Sequence, residues 1–154
     1  MDKYNRFHTP AIYTLVRLDW AVLMFAAIVL LFSHWRDVHW WRFTWAFLLP
    51  DLIGTLPGMY VYYGRRSGPR RSIPLVIHQL YNFAHCFVTT VAFCAIWYAV
   101  TRRLEWEMLA FPIHLAGDRC IFGNIYKPFG TAFEPVPHES FQRFEQEYRA
   151  AGVW

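Results

Sequence analysis

The chain has 154 residues, enough for one domain, and 56% of them are hydrophobic whereas only 17% are charged. Soluble domains carry about 25% charged residues, so the composition argues against an ordinary soluble protein. The formal charge of +4 comes from basic residues that stand between apolar runs, as in membrane-protein loops, and we therefore expect no nucleic-acid partner.

Four apolar segments follow one another along the chain, and each is long enough for a transmembrane helix, which needs about 20 residues. They cover residues 12–32, 40–63, 73–100 and 104–126. The first segment carries Arg17 and Asp19 near one edge, and the second is interrupted by Pro50, Gly54 and Pro57. The short connections predict helices that run alternately up and down.

The third segment is the clearest of the four, because residues 73–100 contain no formally charged side chain. We predict one continuous helix there. Cys86 and Cys94 then stand about 12 Å apart along its axis, which is too far for a disulfide, so both are predicted to be free thiols. The fourth segment is the weakest, since Asp118 and Arg119 lie inside it.

The connection between the second and third segments is strongly basic, with four arginines in residues 64–72. Cytoplasmic loops of membrane proteins carry such an excess of Lys and Arg. We therefore place this loop, and with it both chain termini, in the cytoplasm of a multi-pass protein of the cell inner membrane.

Beyond the fourth segment the chain becomes polar and proline-rich, and residues 139–150 predict a short helix with Phe141, Phe144 and Tyr148 on one face. The predicted fold class is thus all-α, a polytopic membrane four-helix bundle with a short C-terminal amphipathic helix. Two parts are expected, a four-helix transmembrane domain at residues 1–126 and a cytoplasmic loop with the amphipathic helix at residues 127–154.

Polar side chains are costly at membrane depth, so each one needs a reason. On the third segment His78, Asn82 and His85 recur at positions i, i+4 and i+7, which is one face of a helix, and Tyr81 lies beside them. A single intramembrane His or Asn often only hydrogen-bonds a neighbouring helix, for about 0.6 kcal/mol. A structural role for each residue alone is therefore the competing interpretation.

The second and fourth segments add carboxylates to this set. His114 and Asp118 stand at i and i+4 on the fourth segment, and Asp51 follows Pro50 on the second. At about 1.5 Å of rise per residue, Asp51 and His114 lie near mid-bilayer, with His85 somewhat deeper. We predict that these side chains converge in one inward-facing pocket, where Asp118 faces inward with His114.

Arg119 directly follows Asp118, and adjacent helical residues diverge by about 100° around the helix axis. We therefore predict that Arg119 turns towards another helix. Because an unpaired buried charge is expensive, we expect it to pair there with Asp51 or Asp19.

Three kinds of chemistry suit these side chains. His85, His114 and Asp118 are candidate ligands of a divalent metal ion, although the sequence does not specify a cofactor. Histidine and aspartate also form metal-free acid–base pairs. Finally, His85 and His114 on separate helices are candidate axial ligands of a haem or a chlorin.

Four short motifs resemble those of a known family. They are LVRLD at residues 15–19, LLPDL at 48–52, LYNFAH at 80–85 and HLAGDRCIFGNIYKPFGTAF at 114–133. In order and spacing they are similar to the Leu/Arg/acid, Pro-Asp, Tyr-Asn-x-x-His and His-x-x-x-Asp-Arg elements of small four-helix bacterial integral membrane proteins of unknown function. The family's glycine-rich stretch after Asp-Arg is here Phe-Gly-Asn-Ile-Tyr, and its terminal Thr-His-Leu element is not evident. The resemblance implies a shared four-helix fold and a shared residue set.

The function that we expect is an enzyme acting inside the membrane on an amphipathic or lipid-like substrate, by acid–base or metal-assisted chemistry. The expected catalytic residues are Asp51, His85, His114 and Asp118. The residues expected to position the substrate are Tyr81, Asn82, Arg119 and Lys127, the two cations being suited to a phosphate or carboxylate. The alternative is a non-catalytic accessory subunit of a larger respiratory or photosynthetic membrane complex. Membrane lipids are expected partners in both cases, and assembly as a homo-oligomer or within a larger complex stays open.

Overall fold

The computed structural model describes residues 10–64, 73–124, 126–127 and 138–152 of the chain. Within these residues every regular element is helical and no strand occurs, which confirms the predicted all-α class. The α-helices are α1 (Pro10–Ser33), α2 (Trp40–Ile53), α3 (Thr55–Gly64), α4 (Leu75–Ala84), α5 (Phe87–Thr101), α6 (Ala110–Gly117) and α7 (Glu139–Ala150). A 3₁₀ turn (Trp106–Leu109) precedes α6, and a π-helical turn (Asp118–Phe122) follows it.

The first and last helices agree with the sequence. α1 begins at Pro10, a residue whose fixed φ and missing N–H suit the first position of a helix. α7 coincides with the predicted amphipathic helix, and its N-cap His138 accepts a hydrogen bond from the backbone N–H of Ser140. Phe141 and Phe144 on this helix are exposed.

The continuous helix predicted over residues 73–100 is wrong, because it is divided into α4 and α5. The two helices differ in direction by 61°. Neither glycine nor proline marks the break; instead Cys86 takes an extended conformation there, with φ −106° and ψ 150°. The second apolar segment is likewise divided at Gly54, into α2 and α3.

One end of the molecule joins the last turns of α1 and α5 to the first turns of α2 and of the fourth segment. The buried carboxylate of Glu107 accepts a hydrogen bond of 2.6 Å from the backbone N–H of His39, just before α2. The indole of Trp97 in α5 donates to Glu105 at 2.8 Å, and Arg42 in α2 lies 3.3 Å from the same carboxylate.

The opposite end joins the beginning of α1 to the end of the fourth segment. The guanidinium of Arg17 donates to the backbone carbonyls of Cys120 and Ile121, both at 2.8 Å. With the stacking of His34 on Trp106 at the other end, these contacts give α1 and the fourth segment opposite directions, while the alternating course of all four segments stays a prediction.

The centre of the fold is α6, which is short and buried. Phe111 and Leu115 are almost fully covered, and α6 packs against α1, α2 and α5. The fourth transmembrane helix predicted over residues 104–126 is therefore not one continuous helix, since α6 has only 8 residues. Its neighbours α1 and α5 instead point large apolar side chains outward, among them Val22, Phe25 and Val88.

Among the described helices, α1 is long and apolar enough to cross a membrane by itself, over Ala11–Ser33. The bent pair α4 and α5 reaches the same length and apolarity only when both helices are taken together. The loop arginines that suggested the orientation of the chain lie outside the described residues, and the domain boundary after residue 126 stays a prediction.

Candidate metal centre

A close approach of two helices builds one side of the site. At Gly54, where α2 ends, an added Cβ would lie 2.7 Å from the Cα of Tyr81 and 3.3 Å from the ring of His85. Real Cβ atoms do not approach a backbone carbon so closely, so only glycine allows α4 to pack here. This contact brings Asp51, one turn earlier on α2, to the end of α4.

His85 lies where α4 ends, and its ring is held by two contacts. Its Nδ1 lies 2.9 Å from the carbonyl oxygen of Tyr81, so Nδ1 carries the proton and donates it to that oxygen. The aromatic ring of Tyr81 stacks on the imidazole at 4.1 Å between ring centres. The other nitrogen, Nε2, lies 3.5 Å from Asp51 Oδ1 and 3.4 Å from Asp118 Oδ2.

His114 completes the site from α6. Its Nε2 lies 3.8 Å from Asp51 Oδ1 and 3.7 Å from Asp118 Oδ2. Asp118 is the first residue of the π-helical turn, a rare conformation that is frequent at functional sites. The backbone N–H of Gly123 closes the turn by donating to the carbonyl of Asp118, which also accepts from the N–H of Asn124 at 2.9 Å.

Three of the four groups have the spacing of metal ligands, and the fourth lies beside them. The donor atoms of Asp51, His85 and His114 all lie within 4.8 Å of one another, and Asp118 Oδ2 is close to both imidazoles. Tetrahedral zinc with bonds of about 2.0–2.2 Å separates neighbouring ligand atoms by about 3.4 Å. The four nitrogen–oxygen distances of 3.4–3.8 Å are close to this value.

Burial and charge also fit a cation. The histidines are 2% and 4% exposed, and within the described part of the chain neither Nε2 has a hydrogen-bond partner. Two carboxylates beside neutral imidazoles give a formal charge of −2, which a divalent ion neutralises. The side chains of Asp51 and Asp118 keep 36% and 18% of their exposure, so the site has an open side.

The structure brings the predicted catalytic residues together, whereas the residues predicted to bind substrate lie around them. Asp51, His85, His114 and Asp118 are brought together, as the helical spacing predicted, and Asp51 joins the proposed ligand set. A haem or chlorin between the histidines is disfavoured, because their ring centres are only 5.5 Å apart and both carboxylates approach the same nitrogens. Sequence reasoning noted Gly54 only as an interruption and missed its role in packing.

Tyr81, Asn82 and Lys127 lie behind His85. The side-chain amide of Asn82 donates to the carbonyl of Lys127 at 2.9 Å and accepts from its backbone N–H at 2.7 Å. The amino group of Lys127 then lies 5.3 Å from the centre of the Tyr81 ring, which itself stacks on His85. Through these contacts the three residues support the ring of His85. Their predicted role in substrate binding stays a prediction.

The predicted ion pair of Arg119 is wrong. Its guanidinium lies over the rings of Trp20 and Phe87, at 4.4 and 5.0 Å from their centres, and its Nη2 donates to the backbone carbonyl of His85 at 3.1 Å. Aromatic faces stabilise a desolvated cation, so Arg119 reaches neither Asp51 nor Asp19.

Compared with known proteins, the chain matches no family model, no curated protein and no solved structure. The resemblance to small four-helix bacterial membrane proteins therefore stays a prediction, and the function is argued from the site itself.

Proposed function

We propose that this chain is a multi-pass membrane protein that binds a divalent metal ion through Asp51, His85, His114 and Asp118. The bound ion serves metal-assisted acid–base chemistry on an amphipathic or lipid-like substrate. The observation that carries the proposal is the pair of buried histidine Nε2 atoms, each 3.4–3.8 Å from two carboxylate oxygens.

The membrane part of the proposal is supported by what the helices expose. Soluble proteins rarely expose contiguous apolar patches larger than a few hundred Å². Here α1 exposes Leu18, Val22 and Phe25, and α5 exposes Val88 and Val100, while the polar cluster faces inward. The bent pair α4 and α5 together reaches the length and apolarity of one further crossing.

The metal part is supported by the orientation of the ligands. Metal-binding histidines usually donate their second ring N–H to a backbone carbonyl or carboxylate, which fixes the tautomer. His85 does this through Tyr81. If the ion takes a fifth ligand beside these four, it would lower the pKa of a bound water or polarise a carbonyl or phosphoryl oxygen of the substrate. Asp51 is the more exposed carboxylate, and its second oxygen is our candidate for proton exchange with the substrate.

A metal titration tests the proposal. Protein purified in detergent and stripped with a chelator should bind one Zn²⁺ per chain in competition with a chromogenic chelator. His114→Gln should weaken Zn²⁺ binding by about 100-fold. Loss of a residue that only supports a ligand already weakens binding by about 10–100-fold, and His114 is a proposed ligand itself. His34→Gln is the matched control, since His34 stacks on Trp106 at the far end of α1 and should bind like the parent.

Failure of the unmodified protein to bind Zn²⁺, Mn²⁺, Fe²⁺ or Co²⁺ would contradict the metal-assisted function. Equal binding by His114→Gln and the parent would place the metal elsewhere.

The accessory-subunit function rests on the same exposed apolar faces, because a neighbouring transmembrane helix covers them as well as lipid does. Mild solubilisation from the native membrane separates the two functions. A free chain or homo-oligomer that retains metal supports the enzyme, whereas a fixed stoichiometry with other subunits and no metal supports the accessory role.

A further inference from the structure

A buried arginine joins the π-helical turn to the break between α4 and α5. Arg119 is 4% exposed, and its Nη2 donates to the backbone carbonyl of His85 at 3.1 Å. His85 is at the same time a member of the cluster, and Asp118, another member, is the residue before Arg119 on the chain. One side chain thus connects the two helical segments that supply three of the four ligands.

The carbonyl that Arg119 contacts is one that the helix itself leaves open. The last carbonyls of a helix have no partner inside it. The next hydrogen bond along the chain runs from the N–H of Thr90 to the carbonyl of Cys86 and belongs to α5. An open carbonyl is unfavourable in a low-dielectric interior, and a cation at a helix C-terminus is favoured by the helix dipole.

Three aromatic rings hold the guanidinium in place. Its central carbon lies 4.4 Å from the ring centre of Trp20, 5.0 Å from that of Phe87 and 5.8 Å from that of Tyr126. Trp20 and Phe87 also stack on each other at 5.5 Å. These rings come from α1, from the first residue of α5 and from the segment after the π-helical turn, so the guanidinium has one position relative to all three.

We propose that Arg119 is a positioning residue for the metal centre. Its guanidinium holds the backbone carbonyl of His85 and thereby keeps the imidazole Nε2 directed at the two carboxylates. This inference rests on the proposed metal site, but only one of the two measurements that test it requires a bound metal ion. Arg119 acts through His85, and it binds neither the metal ion nor the catalytic carboxylates.

The test compares Arg119→Gln, Arg119→Lys and Arg42→Gln with the parent. The first measurement is Zn²⁺ affinity, which Arg119→Gln should lower by about 10–100-fold, the range for contacts that support a ligand. Arg119→Lys should recover most of this loss, because one ammonium N–H suffices for one carbonyl. Arg42→Gln removes an arginine that pairs with Glu105 at the far end of the molecule and should bind Zn²⁺ like the parent.

The second measurement needs no metal. In protein with ¹⁵N-labelled histidine, the His85 ring of the parent should be in one tautomer, with the proton on Nδ1, as its bond to Tyr81 requires. Arg119→Gln should show both tautomers in exchange. The signal of His85 is assigned by its loss in His85→Gln.

Parent-like affinity and a single tautomer in folded Arg119→Gln would overturn the inference. If Arg119→Gln does not fold, Phe87→Leu takes its place, since it removes one ring of the cage and leaves the hydrogen-bonding groups intact. Phe87→Leu should show both His85 tautomers in exchange, and a single tautomer as in the parent would overturn the inference. A parent that binds no metal contradicts the proposed function, while the tautomer measurement still decides the role of Arg119.

Discussion

At the scale of single residues, the site depends on two carboxylates that lie beside two imidazoles. Asp118 Oδ2 lies 3.4 Å from one histidine nitrogen and 3.7 Å from the other. Without a cation the carboxylates of Asp51 and Asp118 hold like charges in a partly buried place, which is unfavourable. The chain therefore keeps a charge arrangement that becomes favourable when a divalent ion binds.

Asp118→Asn separates this role from a structural one. The amide has nearly the same shape and removes one negative charge, so the metal-free protein should melt at or above the parent temperature. Stabilisation by Zn²⁺, which is worth about 2.7 kcal/mol at a ligand concentration 100 times Kd, should disappear. Thermal melts in detergent with and without Zn²⁺ measure both effects.

Asp19→Asn is the matched control for that experiment, because Asp19 is an exposed aspartate on α1 and should keep the full shift with Zn²⁺. A shift of parent size in Asp118→Asn would remove this carboxylate from the ligand set.

The residues of the site were predictable where one helix carries them. His114 and Asp118 share a face at i and i+4, and they meet in the structure. The partner of Arg119 was not predictable, because its binding place is formed by Trp20 and Phe87 from two other helices. The need to neutralise a buried charge suggested a carboxylate as the partner of Arg119. In the structure its guanidinium instead contacts aromatic faces and one backbone carbonyl.

The helix breaks are what positions the site at the scale of elements. Gly54 marks one break in the sequence, and the missing side chain lets α2 and α4 approach until Tyr81 lies against the backbone. The break at Cys86 carries no such mark. It is held by contacts from distant parts of the chain, including Arg119, and for that reason the third segment was predicted as one helix.

Gly54→Ala tests the close approach of α2 and α4. Its Cβ would lie 2.7 Å from the Cα of Tyr81, and because that atom is backbone, the helices must separate. We expect a lower melting temperature and a Zn²⁺ affinity reduced by about tenfold or more, as for lost supporting contacts.

Gly64→Ala provides the control, since nothing lies within 4 Å of the position of its Cβ. It should behave like the parent in both measurements. Parent-like affinity in Gly54→Ala would show that the spacing of α2 and α4 does not set the ligand geometry.

At the scale of the whole molecule, the described helices enclose an apolar core with a polar cluster inside it, and they expose further apolar side chains. The short α6 is the buried centre, and the apolar faces of α1 and α5 point outward. Composition predicted the exposed apolar faces, whereas the alternating direction of four membrane-spanning segments stays a prediction. The length of α6 was not predictable, because its apolar sequence is equally suited to burial among helices and to exposure to lipid.

Topology is testable with single cysteines in a background where the native cysteines are replaced by serine or alanine. Asp37, in the turn between α1 and α2, is exposed, and Asp37→Cys should react with a membrane-impermeant maleimide added to intact cells. Ser67→Cys, in the basic loop, should react only after the membrane is permeabilised. Labelling of Ser67→Cys from outside would contradict the proposed orientation, and equal labelling of both would contradict a crossing between them.

The most direct measurement of the central claim is X-ray absorption spectroscopy of the zinc-loaded protein. The proposed ligands predict four nitrogen or oxygen neighbours at about 2.0–2.2 Å, with the outer-shell scattering of two imidazoles and no sulfur at about 2.3 Å. In His85→Gln the imidazole contribution should fall to one. A sulfur neighbour, which would mean ligation by one of the cysteines, or a shell without imidazole would contradict a metal centre built from Asp51, His85, His114 and Asp118.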